Sequence, residues 1–120
     1  MKKVMVYEDD RTMVGLLTTL LEIEGYQVAQ FEGLAEENLF QKLSNEKPDI
    51  LLMDVHLRQA NGLDILRALR LNAEFHDLRI IMASGMNLRE NCLKSGANAF
   101  IMKPFMPEEL IKTLQKQISN

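Results

Sequence analysis

The sequence contains one cysteine, Cys92, so no internal disulfide can brace it, and no group of Cys and His stands at metal-ligand spacing to suggest zinc. Such cysteine usage fits a reducing, cytoplasmic setting. The opening Met-Lys-Lys-Val-Met-Val-Tyr meets acid at Glu8 before it reaches signal-peptide length, and no later apolar run approaches a membrane span. No membrane role is expected. Fourteen basic side chains against 17 acidic ones give a formal charge of −3, and no stretch gathers Lys and Arg into a stripe that would follow a phosphate backbone. Direct nucleic-acid binding is not expected either. No linker or low-complexity segment interrupts the 120 residues, which read as one domain over 1–120.

Short apolar runs alternate with amphipathic stretches from end to end, the pattern of repeated β-α units around a parallel sheet. Strands are expected at Val4 to Tyr7, Gln27 to Phe31, Ile50 to Met53, Ile80 to Ala83 and Ala99 to Met102. Met13, Leu16, Leu17, Leu20 and Leu21 make one helical stripe, with Asp10 as its N-cap. Leu39, Phe40 and Leu43 mark a second helix ending before Pro48, and Leu63, Leu66 and Leu69 a third that starts near Asn61-Gly62. Leu110, Ile111, Leu114 and Ile118 mark the last, with Pro107 in its first turn and Glu108 and Glu109 suited to its N-terminal dipole. Between Asn87 and Ser95 only Leu88, Cys92 and Leu93 are apolar, so the fourth helix should be the least stable, ending at Gly96. Most of the eight methionines lie within apolar runs and read as core filler.

In an open parallel sheet, ligands bind beyond the carboxyl ends of the strands, where strand order reverses. The first strand runs into Glu8-Asp9-Asp10, the third into Asp54, the fourth into Ser84 and the fifth into Lys103-Pro104. Carboxylates gathered there repel one another unless they share a cation, and hard oxygen ligands without Cys or clustered His favour Mg²⁺. An Asp at a strand end can act as a nucleophile toward phosphorus, with a metal on one side and a fixed Lys, here Lys103, on the other. A hydroxyl such as that of Ser84 could then bond a phosphoryl oxygen and move the chain after the fourth strand.

These residues resemble the receiver domains of bacterial response regulators over essentially the entire chain. The resemblance rests on Glu8-Asp9 after Val-Met-Val-Tyr, Asp54 after Ile-Leu-Leu-Met, Gly62 eight residues on, Ser84-Gly85 after Ile-Ile-Met-Ala, and Lys103-Pro104-Phe105. It implies a flavodoxin-like, doubly wound five-stranded parallel sheet of order 2-1-3-4-5, with five helices in three layers. It further implies that Asp54 accepts a phosphoryl group from a sensor histidine kinase or a histidine phosphotransfer protein, as a switch of a two-component phosphorelay rather than as an enzyme. Asp9, Asp54 and the backbone carbonyl of His56 would ligate Mg²⁺, with Glu8 acting through bound water. Ser84 and Phe100 resemble the coupled hydroxyl and aromatic that shift on phosphorylation, opening a face of helix four, strand five and helix five to a downstream protein. Two positions depart from the family's habit: Arg58 stands where proline is frequent, and His56 is a less usual neighbour of the acceptor.

Simpler readings stand beside these. Asp10 reads as a helix cap only, Phe100 as core in any case, His76 as a surface histidine and Cys92 as a small helix residue. A phosphatase of the haloacid dehalogenase type would carry a second acid two residues after its nucleophile, where this chain has His56. A flavin protein would need a Ser, Thr or Gly-rich phosphate loop after the first strand, where Glu8-Asp9-Asp10 would repel phosphate. The remaining alternative is a receiver-like interaction module without phosphotransfer, which has no physical reason to keep mutually repelling acids at one sheet edge. Met1 reads as a natural start, and the chain as either a stand-alone receiver or a part of a larger regulator.

Overall fold

The computed structural model describes residues 2–32, 36–58 and 60–119, so Met1, the expected natural start, lies outside the described residues. Strands and helices alternate without exception: β1 (Lys3–Tyr7), α1 (Arg11–Ile23), β2 (Gln27–Phe31), α2 (Glu36–Glu46), β3 (Ile50–Asp54), α3 (Gly62–Leu71), β4 (Arg79–Ser84), α4 (Arg89–Lys94), β5 (Ala99–Met102) and α5 (Pro107–Ser119). The strands form one sheet in the order β2-β1-β3-β4-β5, every neighbouring pair parallel, as expected of a flavodoxin-like doubly wound domain.

Side chains along a strand point alternately to the two faces, and the central strands are apolar at both parities. On one face Val4, Val6, Ile50, Leu52, Ile81 and Ile101 pack with Leu17 and Leu21 of α1 and with Leu110 and Leu114 of α5. On the other, Met5, Leu51, Met53, Ile80, Met82 and Phe100 pack with Leu39 and Leu43 of α2, Leu66 and Leu69 of α3, and Cys92 of α4. Helices on both faces make the three layers, and they explain why these strands lack the alternation of a half-exposed sheet.

The Asp10 side chain caps α1 by accepting from the amides of Thr12 at 2.9 Å and Met13 at 3.2 Å. The expected stripe of this helix needs one correction: Val14, Leu17 and Leu21 are buried, whereas Leu16 is 63% exposed. Val14, Leu17 and Leu21 follow i, i+3 and i+7, and Leu16 lies about 200° around the helix from Val14. The α4 helix has only six residues, buries Cys92 alone, lacks a side-chain N-cap and ends before Gly96 at φ +114.

Methionine also departs from the core reading. Met5, Met53 and Met82 are fully buried, but Met86, Met102 and Met106 are 59%, 44% and 70% exposed. The buried three sit in the interior of central strands. The exposed three follow β4, end the edge strand β5, and precede α5, where no further layer covers them.

Gly62 begins α3 directly against the end of β3. A Cβ there would lie 2.4 Å from the Asp54 carbonyl oxygen and 2.8 Å from Val55 Cα. Both are backbone atoms, so only glycine allows this approach, and it holds the loop after Asp54 close to the sheet.

Candidate functional site

Strand parity assembles the site. Glu8 lies two residues after Val6, Asp54 two after Leu52 and Lys103 two after Ile101, so all three continue the face covered by α1 and α5. They continue it at the carboxyl ends of β1, β3 and β5. The chain leaves β1 for β2 on one side and returns to β3 on the other, so β1 and β3 flank the point where strand order reverses. A cleft of about 620 Å³ opens there, lined by Glu8, Asp9, Asp54, His56, Arg58 and Lys103 among others.

Lys103 is the electrostatic centre. Its Nζ donates to Glu8 Oε1 and, at 3.2 Å, to Asp54 Oδ2. The other Glu8 oxygen accepts from the Asp9 amide at 2.9 Å. Glu8 is thus enclosed, with 6% of its side chain exposed, and burial pushes its carboxyl above the usual carboxylate range, ahead of the opposing hydrogen bond from Lys103. Burial alone would lower the Lys103 ammonium, but the hydrogen bond to Glu8 and the charge of Asp54 outweigh it and raise the group. The lysine therefore stays charged, as a fixed cation within reach of the Asp54 oxygens. The Lys103–Pro104 peptide is cis.

The remaining expected residues are placed as follows. Asp9 lies across the cleft, its Oδ2 accepting from the Arg58 amide. The His56 amide donates to Asp54 Oδ1 at 3.2 Å while its side chain is exposed. Ser84 is fully buried with the opposite parity to Asp54, and its Oγ accepts from the Met86 amide at 3.0 Å instead of facing the acid. Phe100 is core, with the Arg89 guanidinium 5.5 Å from its ring centroid. The structure thus brings Glu8, Asp9, Asp54, His56 and Lys103 together and sets Ser84 and Phe100 behind them. Sequence reasoning missed the Arg58 amide and the Arg89 stack, and neither leaves a signal in residue spacing.

Glu8, Asp9, Asp10 and Asp54 line the cleft with Lys103, Arg11 and Arg58, so its acids outnumber its cations. Among the described residues no three His, Cys, Asp or Glu side chains gather into a ready-made metal cage. Mg²⁺ takes one or two carboxylates and keeps several waters, and the oxygen donors of Asp9 and Asp54 are of the kind it prefers.

A doubly wound parallel domain with an acidic cleft and a fixed lysine at its switch point has the makings of a phosphoryl-handling module. The model of the response regulator receiver domain matches residues 4–115, and the chain belongs to that family, whose members act in two-component signal transduction. The transcriptional regulatory protein CpxR of Escherichia coli is 36% identical over 118 residues, covering 96% of this chain and 48% of its own length. The chain therefore spans about half the length of that relative. Among solved structures, the receiver domain of a sensor histidine kinase from Pseudomonas aeruginosa matches with a TM-score of 0.85 at 25% identity, covering 99% of this chain and 98% of that one. It holds a magnesium ion in its active site cleft. The chemotaxis response regulator CheY4 of Vibrio cholerae shares the fold, with a TM-score of 0.86 at 24% identity over 98% of each chain. No helix among the described residues is long and apolar enough to cross a membrane.

Proposed function

We propose that residues 1–120 form a receiver that acts as a phosphorylation switch, with Asp54 as phosphoacceptor. The observation that carries this is the Lys103 ammonium held between Glu8 and Asp54, with Asp9 across the same cleft. An Asp54 carboxylate oxygen attacks phosphorus, the bond from phosphorus to the donor nitrogen breaks, and the donor imidazole leaves. The donor is a sensor histidine kinase or a histidine phosphotransfer protein. Lys103 neutralises charge on the transferring group and orients the acceptor. Asp9, Asp54 and the His56 carbonyl would hold Mg²⁺, which would supply further charge neutralisation. Glu8 is turned toward Lys103, so its part is to hold that lysine and to meet the metal only through water. The protein is an acceptor that assists its own modification, not an enzyme acting on a separate substrate.

Output follows from Ser84. Its hydroxyl oxygen accepts from the Met86 amide, and a phosphoryl oxygen on Asp54 draws the side chain toward it by accepting from the Ser84 O–H. Movement there reaches α4, the least buried helix, and Phe100 beneath Arg89. The adjoining surface carries exposed Met86, Leu93, Met102 and Met106, an apolar and adaptable face for a downstream protein.

Intact-protein mass after incubation with acetyl phosphate, with and without Mg²⁺, tests the reading. One Mg²⁺-dependent phosphoryl adduct is expected, and none in Asp54→Asn. Absence of the adduct together with failure to bind Mg²⁺ or beryllofluoride would replace this reading with that of an interaction module.

A further inference from the structure

The loop between β3 and α3 makes a contact that the acceptor chemistry does not use. The loop is pinned at both ends: the Gly62 amide donates to the Val55 carbonyl at 2.8 Å, and His56 and Asn61 form an antiparallel bridge. Leu57 is buried, which anchors the loop to the core, while Arg58 beside it is exposed. Held in this way, Arg58 turns its backbone N–H across the cleft onto Oδ2 of Asp9. A carboxylate with one oxygen taken by a fixed donor still offers the other. Carboxylates that ligate metals are oriented by such outer hydrogen bonds, and losing one typically costs about 10- to 100-fold in metal affinity.

We infer that the Arg58 backbone N–H is a positioning group for the metal: by fixing Oδ2 of Asp9 it leaves Oδ1 to a divalent cation and ties the β3–α3 loop to cation binding. This rests on the proposed Mg²⁺ site. The amide acts here and the guanidinium does not, so every residue type except proline can serve at position 58. A receiver with proline at this position lacks the donor.

The test is a Mg²⁺ titration of the native chain, Arg58→Pro and Arg58→Ala, followed by ¹H–¹⁵N spectra, with amide exchange of Arg58 measured in the native chain. Arg58→Pro should need about tenfold more Mg²⁺ for half-saturation, and Arg58→Ala should stay within about twofold of native. The native Arg58 amide should be protected from exchange both with and without Mg²⁺. Equal affinity in Arg58→Pro, or an equal loss in Arg58→Ala, overturns the inference. Should Arg58→Pro fail to fold, the native amide decides: exchange at the rate of an unbonded amide, or protection lost on Mg²⁺ saturation, overturns it as well. A native chain that takes up no Mg²⁺ removes the proposed function and this inference together, whereas native binding with an unaffected Arg58→Pro removes only the latter.

Discussion

Two of the protein's partly buried cations, Arg70 and Lys103, are solvated in opposite ways. Arg70, near the end of α3, donates to the carbonyls of Gly96 at 2.8 Å, Phe75 at 3.1 Å and His76 at 3.2 Å, and to Asn98 Oδ1 at 2.9 Å. Asn98 Oδ1 accepts the Ile80 amide as well. All these acceptors are neutral, and burial lowers the guanidinium's pKa. Lys103 meets two carboxylates, which raise it against the same burial effect. A cation ringed by backbone dipoles closes its network and stitches α3 to the turns before β4 and β5. A cation ringed by acids, beside a third acid, leaves a cluster that is still short of positive charge and open to a metal and a phosphoryl group. One is a staple and the other belongs to the proposed phosphoacceptor site.

Substituting each cation separates the two roles. Lys103→Ala should slow Mg²⁺-dependent adduct formation from acetyl phosphate by about a hundredfold, the scale seen when a fixed donor to a developing charge is removed. Mg²⁺ binding by Asp9 and Asp54 should persist, so a lost Mg²⁺ titration would show that Lys103 builds the acidic site instead of completing it. Arg70→Ala should do the reverse, costing about 2 kcal/mol in urea unfolding as several half-buried acceptors lose their donor. Its adduct formation, measured on the folded protein, should stay within about twofold of native. A large rate loss there would break the distinction between staple and site.

Acidity sharpens the comparison further. The Glu8 carboxyl is raised by burial, the largest influence, despite its hydrogen bond from Lys103. A carboxyl whose pKa is higher folded than unfolded binds its proton more tightly in the fold. Its contribution to stability is therefore full below the ordinary value of 4.5 and is lost as pH rises through the raised folded value. Lys103, also raised, contributes fully below its ordinary value of 10.5 and loses that contribution only as pH climbs through its higher folded value. A ¹³C titration of the Glu8 carboxyl should give a midpoint above 4.5. A midpoint below it would mean that the lysine, and not burial, governs this acid.

The two networks were not equally legible in the sequence. A carboxylate directly after Ile50 to Met53 must end beside buried surface, and the same holds for Lys103 after Phe100 to Met102, so the gathering of these charges could be read from strand ends. Arg70 could not, because its partners are carbonyls and one amide oxygen that only the folded chain brings together. The Arg58 amide was hidden for the same reason: any residue but proline has an N–H, and its direction depends on the loop. The stripe of α1 was misplaced at Leu16 because helical spacing admits overlapping apolar sets, and packing against the sheet selects the one through Val14.

Ser84 lies between the two kinds of network, and its substitution should have the smallest effect on stability. Its Oγ is buried and, among the described residues, accepts one hydrogen bond, from the Met86 amide at 3.0 Å. Removing that acceptor in Ser84→Ala should cost about 1 kcal/mol, the usual net value of one neutral hydrogen bond. Strand parity keeps the hydroxyl off the acidic face in the unphosphorylated chain, so Mg²⁺ binding should not change. What should diminish is communication: with beryllofluoride bound at Asp54, the shifts of α4 and Met86 amides in ¹H–¹⁵N spectra should shrink while those around Asp9 remain. Undiminished shifts in α4 would mean that the movement bypasses the hydroxyl and travels through the β3–α3 loop, which the Arg58 amide joins to Asp9.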